Sequence, residues 1–176
     1  TGKLPFYLRV EETARDIAEF CGFSQGYSYS FESPKVFDKL LIPQDDQLRQ
    51  AISISNPLGE DFSIMRTISL NGMLNSLAFN YNHRNKNVKL YELGNIYLPK
   101  ALPLTELPDE RMQFTLGMYG EGDFFTMKGV VEEFFEKVGL RKPAKYDPNA
   151  GKPYLHPGRQ ANIIYEGTVV GYIGEV

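Results

Sequence analysis

The sequence is 176 residues long with 42% hydrophobic and 23% charged side chains, enough apolar material for one sizeable core. No run approaches the roughly 18 consecutive apolar residues of a membrane-spanning helix, and a net charge of −3 argues against a module that grips nucleic-acid phosphates through a basic field. Cys21 is the lone cysteine, so an intrachain disulfide and a thiolate metal cluster are excluded, and a reducing cytoplasm is the expected compartment.

Thr1 to Pro5 has neither the charged start nor the apolar run of an export signal. Val10, Ala14, Ile17, Ala18 and Cys21 then recur at helical spacing. They predict an amphipathic helix over about 10–21, with Glu11 and Glu12 at its positive end, Cys21 packed in its apolar stripe and Gly22 as its stop. Tyr27-Ser28-Tyr29-Ser30-Phe31 alternates aromatic with small polar residues, the period of a half-buried strand, and ends before Pro34. Ala51 to Ser55 alternates again and stops at Asn56-Pro57. Leu70, Leu74, Leu77, Ala78 and Tyr81 predict a second helix, closed by the polar run His83 to Asn87.

A long strand follows, with Val88, Leu90, Glu92, Gly94 and Ile96 on one face and Tyr91, Leu93 and Tyr97 on the other, ending at Pro99. Lys100 to Glu110 reads as a surface loop and Phe114 to Tyr119 as a strand. Met127, Val130, Val131, Phe134 and Val138 mark a third helix, with Asp123 or Thr126 as cap and Gly139 as stop. The Pro- and Gly-rich stretch from Tyr146 to Gly158 reads as irregular, and 161–165 and 169–173 as a tight hairpin around Glu166-Gly167-Thr168. With no regular strand–helix alternation, the pattern predicts an α+β fold on an antiparallel sheet flanked by helices. The stop at Gly174-Glu175-Val176, directly after a strand-like run, reads as a cut within a longer protein.

Motifs that carry chemistry are few. Gly117 to Gly122 has glycines without the spacing or lysine of a phosphate cradle. His83 and His156 are too far apart for a close zinc pair, and no serine stands in a Gly-x-Ser-x-Gly elbow. Asn85-Lys86-Asn87 reads as a solvated helix end. Glu92, among apolar neighbours, is either a general acid or base or a structural carboxylate paired with Arg66 or Arg159, and the second reading is favoured. His156-Pro157-Gly158-Arg159 either locks a turn or meets an acidic partner, and locking is favoured.

The run Ile54-Ser55-Asn56-Pro57-Leu58-Gly59-Glu60-Asp61-Phe62-Ser63-Ile64-Met65-Arg66-Thr67 resembles a signature of phenylalanyl-tRNA synthetase β subunits. Thr13 to Phe31, Lys89 to Tyr97, Phe124 to Gly129 and His156 to Ala161 extend that resemblance, in order, across almost the whole chain. The resemblance implies a class II aminoacyl-tRNA synthetase catalytic-core-like fold. It implies one catalytic-like domain over 1–176, a fragment of a longer β subunit truncated at both ends. That subunit pairs with a catalytic α subunit in a cytoplasmic (αβ)2 heterotetramer, a class II ligase that joins phenylalanine to tRNA(Phe) using ATP and magnesium.

The β copy of the core is expected to be inactive, with no catalytic, cofactor-binding or metal-binding residue in this segment. ATP and magnesium belong to the holoenzyme, and tRNA(Phe) is met by other parts of it. Class II chemistry needs arginines on the triphosphate. By resemblance one stands two residues before the strand glutamate, where this chain has Leu90, and the Gly-rich motif with a second arginine is missing. Only Arg66, Arg111 and Arg159 are placed to substitute. Arg66 (within Met65-Arg66-Thr67), Glu92, His156 and Arg159 are therefore expected to maintain the fold or the subunit contact. The helix over 10–21 resembles the motif 1 helix and is expected to pack against α, so that the isolated fragment self-associates. The rival reading is a self-contained adenylate-forming enzyme with a residual ATP pocket, and a tRNA-contacting module ranks last.

Overall fold

The computed structural model describes residues 2–176. In chain order the elements are α1 (Phe6–Phe20), β1 (Ser24–Gln25), β2 (Phe31–Glu32), α2 (Val36–Lys39), β3 (Ile64–Met65), α3 (Leu70–Asn82), β4 (Val88–Leu98), β5 (Asp109–Tyr119), α4 (Phe124–Lys137), β6 (Lys145–Asp147), β7 (Gln160–Tyr165) and β8 (Thr168–Gly174). The strands form three sheets, ordered β1-β4-β5, β2-β3 and β6-β7-β8, within the α+β class that the sequence predicts. The chain divides into two compact units, one containing the residues up to Ser24 together with Tyr119–Val176, the other Gln25–Met118.

In the first unit α1 starts at Phe6, directly after Pro5, earlier than the apolar spacing indicates. Proline suits a helix start because its missing N–H has no intrahelical partner there. Glu11 therefore lies inside the helix, where it pairs with Arg15 one turn on at 3.6 Å. Ala14, Ile17 and Ala18 are buried. Cys21 caps the helix half-buried, not enclosed as a core thiol, and Gly22 leaves it at φ 84°.

Helix α4 opens with a reciprocal capping box. Asp123 accepts from the Thr126 N–H at 2.9 Å while the Thr126 hydroxyl accepts from the Asp123 N–H at 3.2 Å, so both residues proposed as caps act together. The Thr126 N–H first, and then the Thr126 hydroxyl, which lies 3.1 Å from Asp123 Oδ1, hold the exposed Asp123 carboxyl below its ordinary pKa. A depressed folded-state pKa gives stabilisation that is present above the unfolded value and lost as pH falls through the folded one. Asp123→Ala is accordingly expected to lower the thermal midpoint at neutral pH. The gap to the parent should close once pH falls below the ordinary Asp range, which a pH series of melting curves measures.

β7 and β8 form an antiparallel hairpin in which Tyr165 faces Thr168 across Glu166 (φ 47°) and Gly167 (φ 84°). Two successive left-handed residues match the twist of a two-residue hairpin turn. Ala161, Ile163 and Ile173 pack against Phe124, Met127, Val131 and Phe135. Each large aliphatic side chain so buried contributes about 1.5–3 kcal/mol. β6 overlaps the start of the stretch expected to be irregular, Tyr146 to Gly158. Tyr146, paired opposite Ile163, packs on this core beneath Lys128, and burial, followed by the Glu132 charge, pushes its hydroxyl to about 12.

In the second unit α3 and β4 occupy the predicted ranges, and Tyr91 is fully buried edge-on to Phe114 at 6.3 Å. Gly117 lets α3 approach β5, because a Cβ there would stand 2.7 Å from Leu77 Cδ1. β5 begins at Asp109, inside the expected loop, and its first residues are largely exposed. The segment 51–55 is reduced to a single bridge, Ser53 to Ile64. Between 27 and 31 only Phe31 enters a strand, and the alternation is present, with Tyr27, Tyr29 and Phe31 facing out while Ser28 and Ser30 are partly buried. Space decides this, since a Cβ on Gly72 of α3 would lie 2.3 Å from Ser28 Oγ. A tyrosine has no room where Ser28 sits.

Candidate functional site

The second unit encloses a buried polar cluster built from three separated stretches of chain. Arg66 follows β3, which is short but held by the Arg66 N–H donating to Ser30 O at 2.9 Å and the Tyr97 N–H donating to Arg66 O at 2.9 Å. Its guanidinium donates from Nε to Asn95 O at 2.7 Å, and from Nη1 to Glu92 Oε1 at 2.9 Å and Ser28 Oγ at 3.0 Å. Ser28 Oγ in turn donates to Glu92 Oε2 at 2.7 Å, so both carboxylate oxygens are satisfied. The Arg66 and Glu92 side chains are 3% and 5% exposed. A pair taken this far from water is sustained only when its hydrogen bonds are complete, as they are for Glu92.

Two glycines make room for the pair. A Cβ on Gly94 would stand 2.0 Å from Arg66 Nη2 and 2.8 Å from Glu92 Oε1, and one on Gly72 would press on Ser28 and approach Glu92 Oε2 to 3.9 Å. A second carboxyl, Glu32 on β2, is also buried. Asn71 Nδ2 donates to its Oε1 at 2.9 Å, while Oε2 has no partner among the described residues. Burial pushes its pKa up, against the Asn71 hydrogen bond and the charges of Arg66 and Lys39, with Glu92 adding to the rise.

The partner of Glu92 is Arg66, within its own unit, and not Arg159. Arg159 forms an ion pair with Glu175. Around it the His156 turn is tied twice to the end of the chain: His156 N–H donates to Glu175 O at 2.7 Å and Glu175 N–H to Arg159 O at 2.9 Å. His156 Nδ1 accepts from the Gly158 N–H at 3.1 Å, closing the turn on itself. Arg111 pairs with Asp109 at 2.5 Å on β5. Each of the three arginines placed to substitute for phosphate-binding ones thus already faces a carboxylate. His83 Nδ1 donates to Phe79 O, 2.8 Å away, and its ring stacks on the Phe79 ring. Among the described residues no three His, Cys, Asp or Glu side chains converge as a metal ion requires.

Glu92 and Arg66 were visible in the sequence as a charged residue on an apolar strand face and the basic residue of the Met-Arg-Thr step. Ser28, Glu32, Gly72 and Gly94 were passed over. A lone glycine inside each of α3 and β4 was the available signal, because such a residue marks a close approach.

The whole chain, residues 1–176, matches the family model described as the phenylalanyl tRNA synthetase beta chain CLM domain. The phenylalanine–tRNA ligase β subunit of Clostridium acetobutylicum is 45% identical over 168 residues, covering 96% of this chain and 21% of that protein. The β subunit from Clostridium tetani is 40% identical, with 95% and 21% covered. The chain therefore spans about a fifth of the length of these curated relatives. Among solved structures, pyrrolysyl-tRNA synthetase from Desulfitobacterium hafniense superposes with a TM-score of 0.70 at 14% identity, over 92% of this chain and 56% of that one, a likeness of fold alone. With that fold and full-length agreement to the family model, the chain belongs to the phenylalanyl-tRNA synthetase β-chain CLM domain family.

Proposed function

We propose that residues 1–176 form one catalytic-like domain of a longer phenylalanine–tRNA ligase β subunit, a domain that does no chemistry and scaffolds the catalytic α subunit. In this reading the assembly is a cytoplasmic (αβ)2 enzyme that charges tRNA(Phe) with phenylalanine, ATP and magnesium are used by the holoenzyme, and tRNA contacts lie elsewhere in it. The observation that carries the reading is the engagement of Arg66, Arg111 and Arg159 with Glu92, Asp109 and Glu175. A guanidinium committed to a carboxylate is not available as a fork for a triphosphate. Leu90, half-buried on β4, offers no donor from its side chain.

The roles assigned are then structural. Arg66 and Glu92 fix β3 against β4, and His156 with Arg159 fixes the turn that precedes β7. Phe6, Tyr7 and Phe20 of α1 are exposed, an apolar surface that supports contact with α and self-association when the chain is alone. Calorimetric titration tests the proposal. Binding of purified α subunit is expected without a measurable heat from ATP and magnesium. Tight ATP binding by the chain alone would instead favour a self-contained adenylate-forming enzyme.

A further inference from the structure

The second unit buries two carboxyls beside one guanidinium. Glu92 takes it: Arg66 Nη1 donates to Glu92 Oε1 at 2.9 Å, and Ser28 Oγ donates to the other oxygen at 2.7 Å. Glu32 is left over. It stands on β2 opposite Ile64 of β3 and is 7% exposed. Among the described residues its side chain accepts one hydrogen bond, from Asn71 Nδ2 to Oε1 at 2.9 Å, and Oε2 has no partner.

The groups around it leave Oε2 as it is. Lys39 of α2 is exposed, and its Nζ donates to Asn71 Oδ1 at 3.2 Å and to Asn75 Oδ1 at 2.5 Å, which turns the Asn71 NH2 toward Glu32. Lys35, just before α2, pairs with Glu60 at 3.4 Å, and Asp61, beside Glu60 in the helical turn 60–62, is exposed. Oε2 is itself shut off from solvent, so neither bulk water nor a group docking from outside meets it while β2 keeps its place.

A carboxylate here would keep one oxygen bare and put a second negative charge near Glu92. Burial outweighs the Asn71 hydrogen bond and the attraction of Arg66 and Lys39, and Glu92 adds to it, so the Glu32 carboxyl is pushed above its ordinary range. The neutral acid is better matched. Its Oε1 still accepts from Asn71, its proton sits on Oε2, and a buried hydroxyl without an acceptor costs far less than a buried charge without donors. We propose that Glu32 is built into the fold as a neutral acid and acts as a proton-operated clasp: with the proton on Oε2, β2 stays seated against Asn71, and release of that proton to solvent loosens residues 28–33 from the first turn of α3. The clasp belongs to the second unit itself and holds whether or not the chain scaffolds a partner subunit.

A carboxyl with a raised folded-state pKa gives stabilisation that is fully present below the unfolded value and is lost as pH rises through the folded one, the opposite of Asp123. The test uses the full-length protein that contains this chain, with hydrogen exchange read by mass spectrometry on peptides spanning 28–33 and 70–76. Parent and variant are compared at the same pH, so the chemistry of exchange itself cancels. In Glu32→Gln, a neutral amide stands in for the neutral acid, and protection relative to the parent is expected to rise by about threefold or more from about pH 5 to about pH 8. Glu32→Met, neutral and of similar length, should show the same rise. A ratio that stays level overturns the clasp, because the folded state would then have no preference for the protonated acid. A ratio that falls with pH overturns it too, because the carboxylate would then be the stabilising form. Failure of both neutral variants to fold has the same force, since the fold would then require the charge.

Discussion

Glu92→Gln is expected to destabilise the chain by about 3 kcal/mol, the low end of what is lost when one partner of a buried ion pair is removed. The Arg66 guanidinium would remain 3% exposed, and its Glu92 contact would be exchanged for a neutral amide. The amide also cannot accept at both ends, so the bond from Ser28 Oγ now made to Oε2 is lost or reversed. Urea unfolding followed by circular dichroism measures this, and an unchanged midpoint would remove Glu92 from its structural role. Arg66→Met combined with Glu92→Leu should recover much of the loss, because apolar replacement of a buried pair avoids leaving a single charge behind.

Gly94→Ala is expected to cost about 3 kcal/mol, at the upper end for overpacking. The added methyl would fall 2.0 Å from Arg66 Nη2. Long side chains ordinarily swing away from such a clash, but this one is held by Asn95 O, Ser28 and Glu92 and is shut off from solvent. The predicted signature is loss of stability by the same unfolding assay and, in a double-mutant cycle with Arg66→Met, a coupling of more than about 1 kcal/mol. Additive effects would show that the glycine serves something other than the guanidinium.

Much of the fold was legible where one period dominated. Leu70 to Tyr81 repeats at helical spacing and lies in α3, and the two faces of 88–98 foretold β4. The sequence misled where tertiary space overrode local pattern. Tyr27, Tyr29 and Phe31 have the period of a strand, but their phase depends on Gly72, more than 40 residues further on, which no local window includes. The start of α1 was missed because Phe6 and Tyr7, although helical, are exposed and do not extend the apolar stripe that marks the helix. Of the buried cluster, the charged pair could be named because charge on an apolar face is conspicuous. Ser28 and Glu32 could not, since a serine between tyrosines and a glutamate before Ser33-Pro34 look like ordinary surface.

The Arg66 cluster joins positions distant along the chain: Ser28 is 38 residues from Arg66, Glu92 is 26 from it, and Ser28 and Glu92 are 64 apart. Bringing such positions together means closing long loops, and the entropic cost of closure precedes any gain from the bonds. Interactions of this kind are therefore expected to consolidate late, and what forms after the folding barrier acts on the escape rate from the native state more than on the rate of reaching it. On that expectation the closed ring of Arg66, Glu92 and Ser28 is a latch in time, and opening it by Glu92→Gln should speed unfolding of the second unit while leaving its folding rate nearly unchanged.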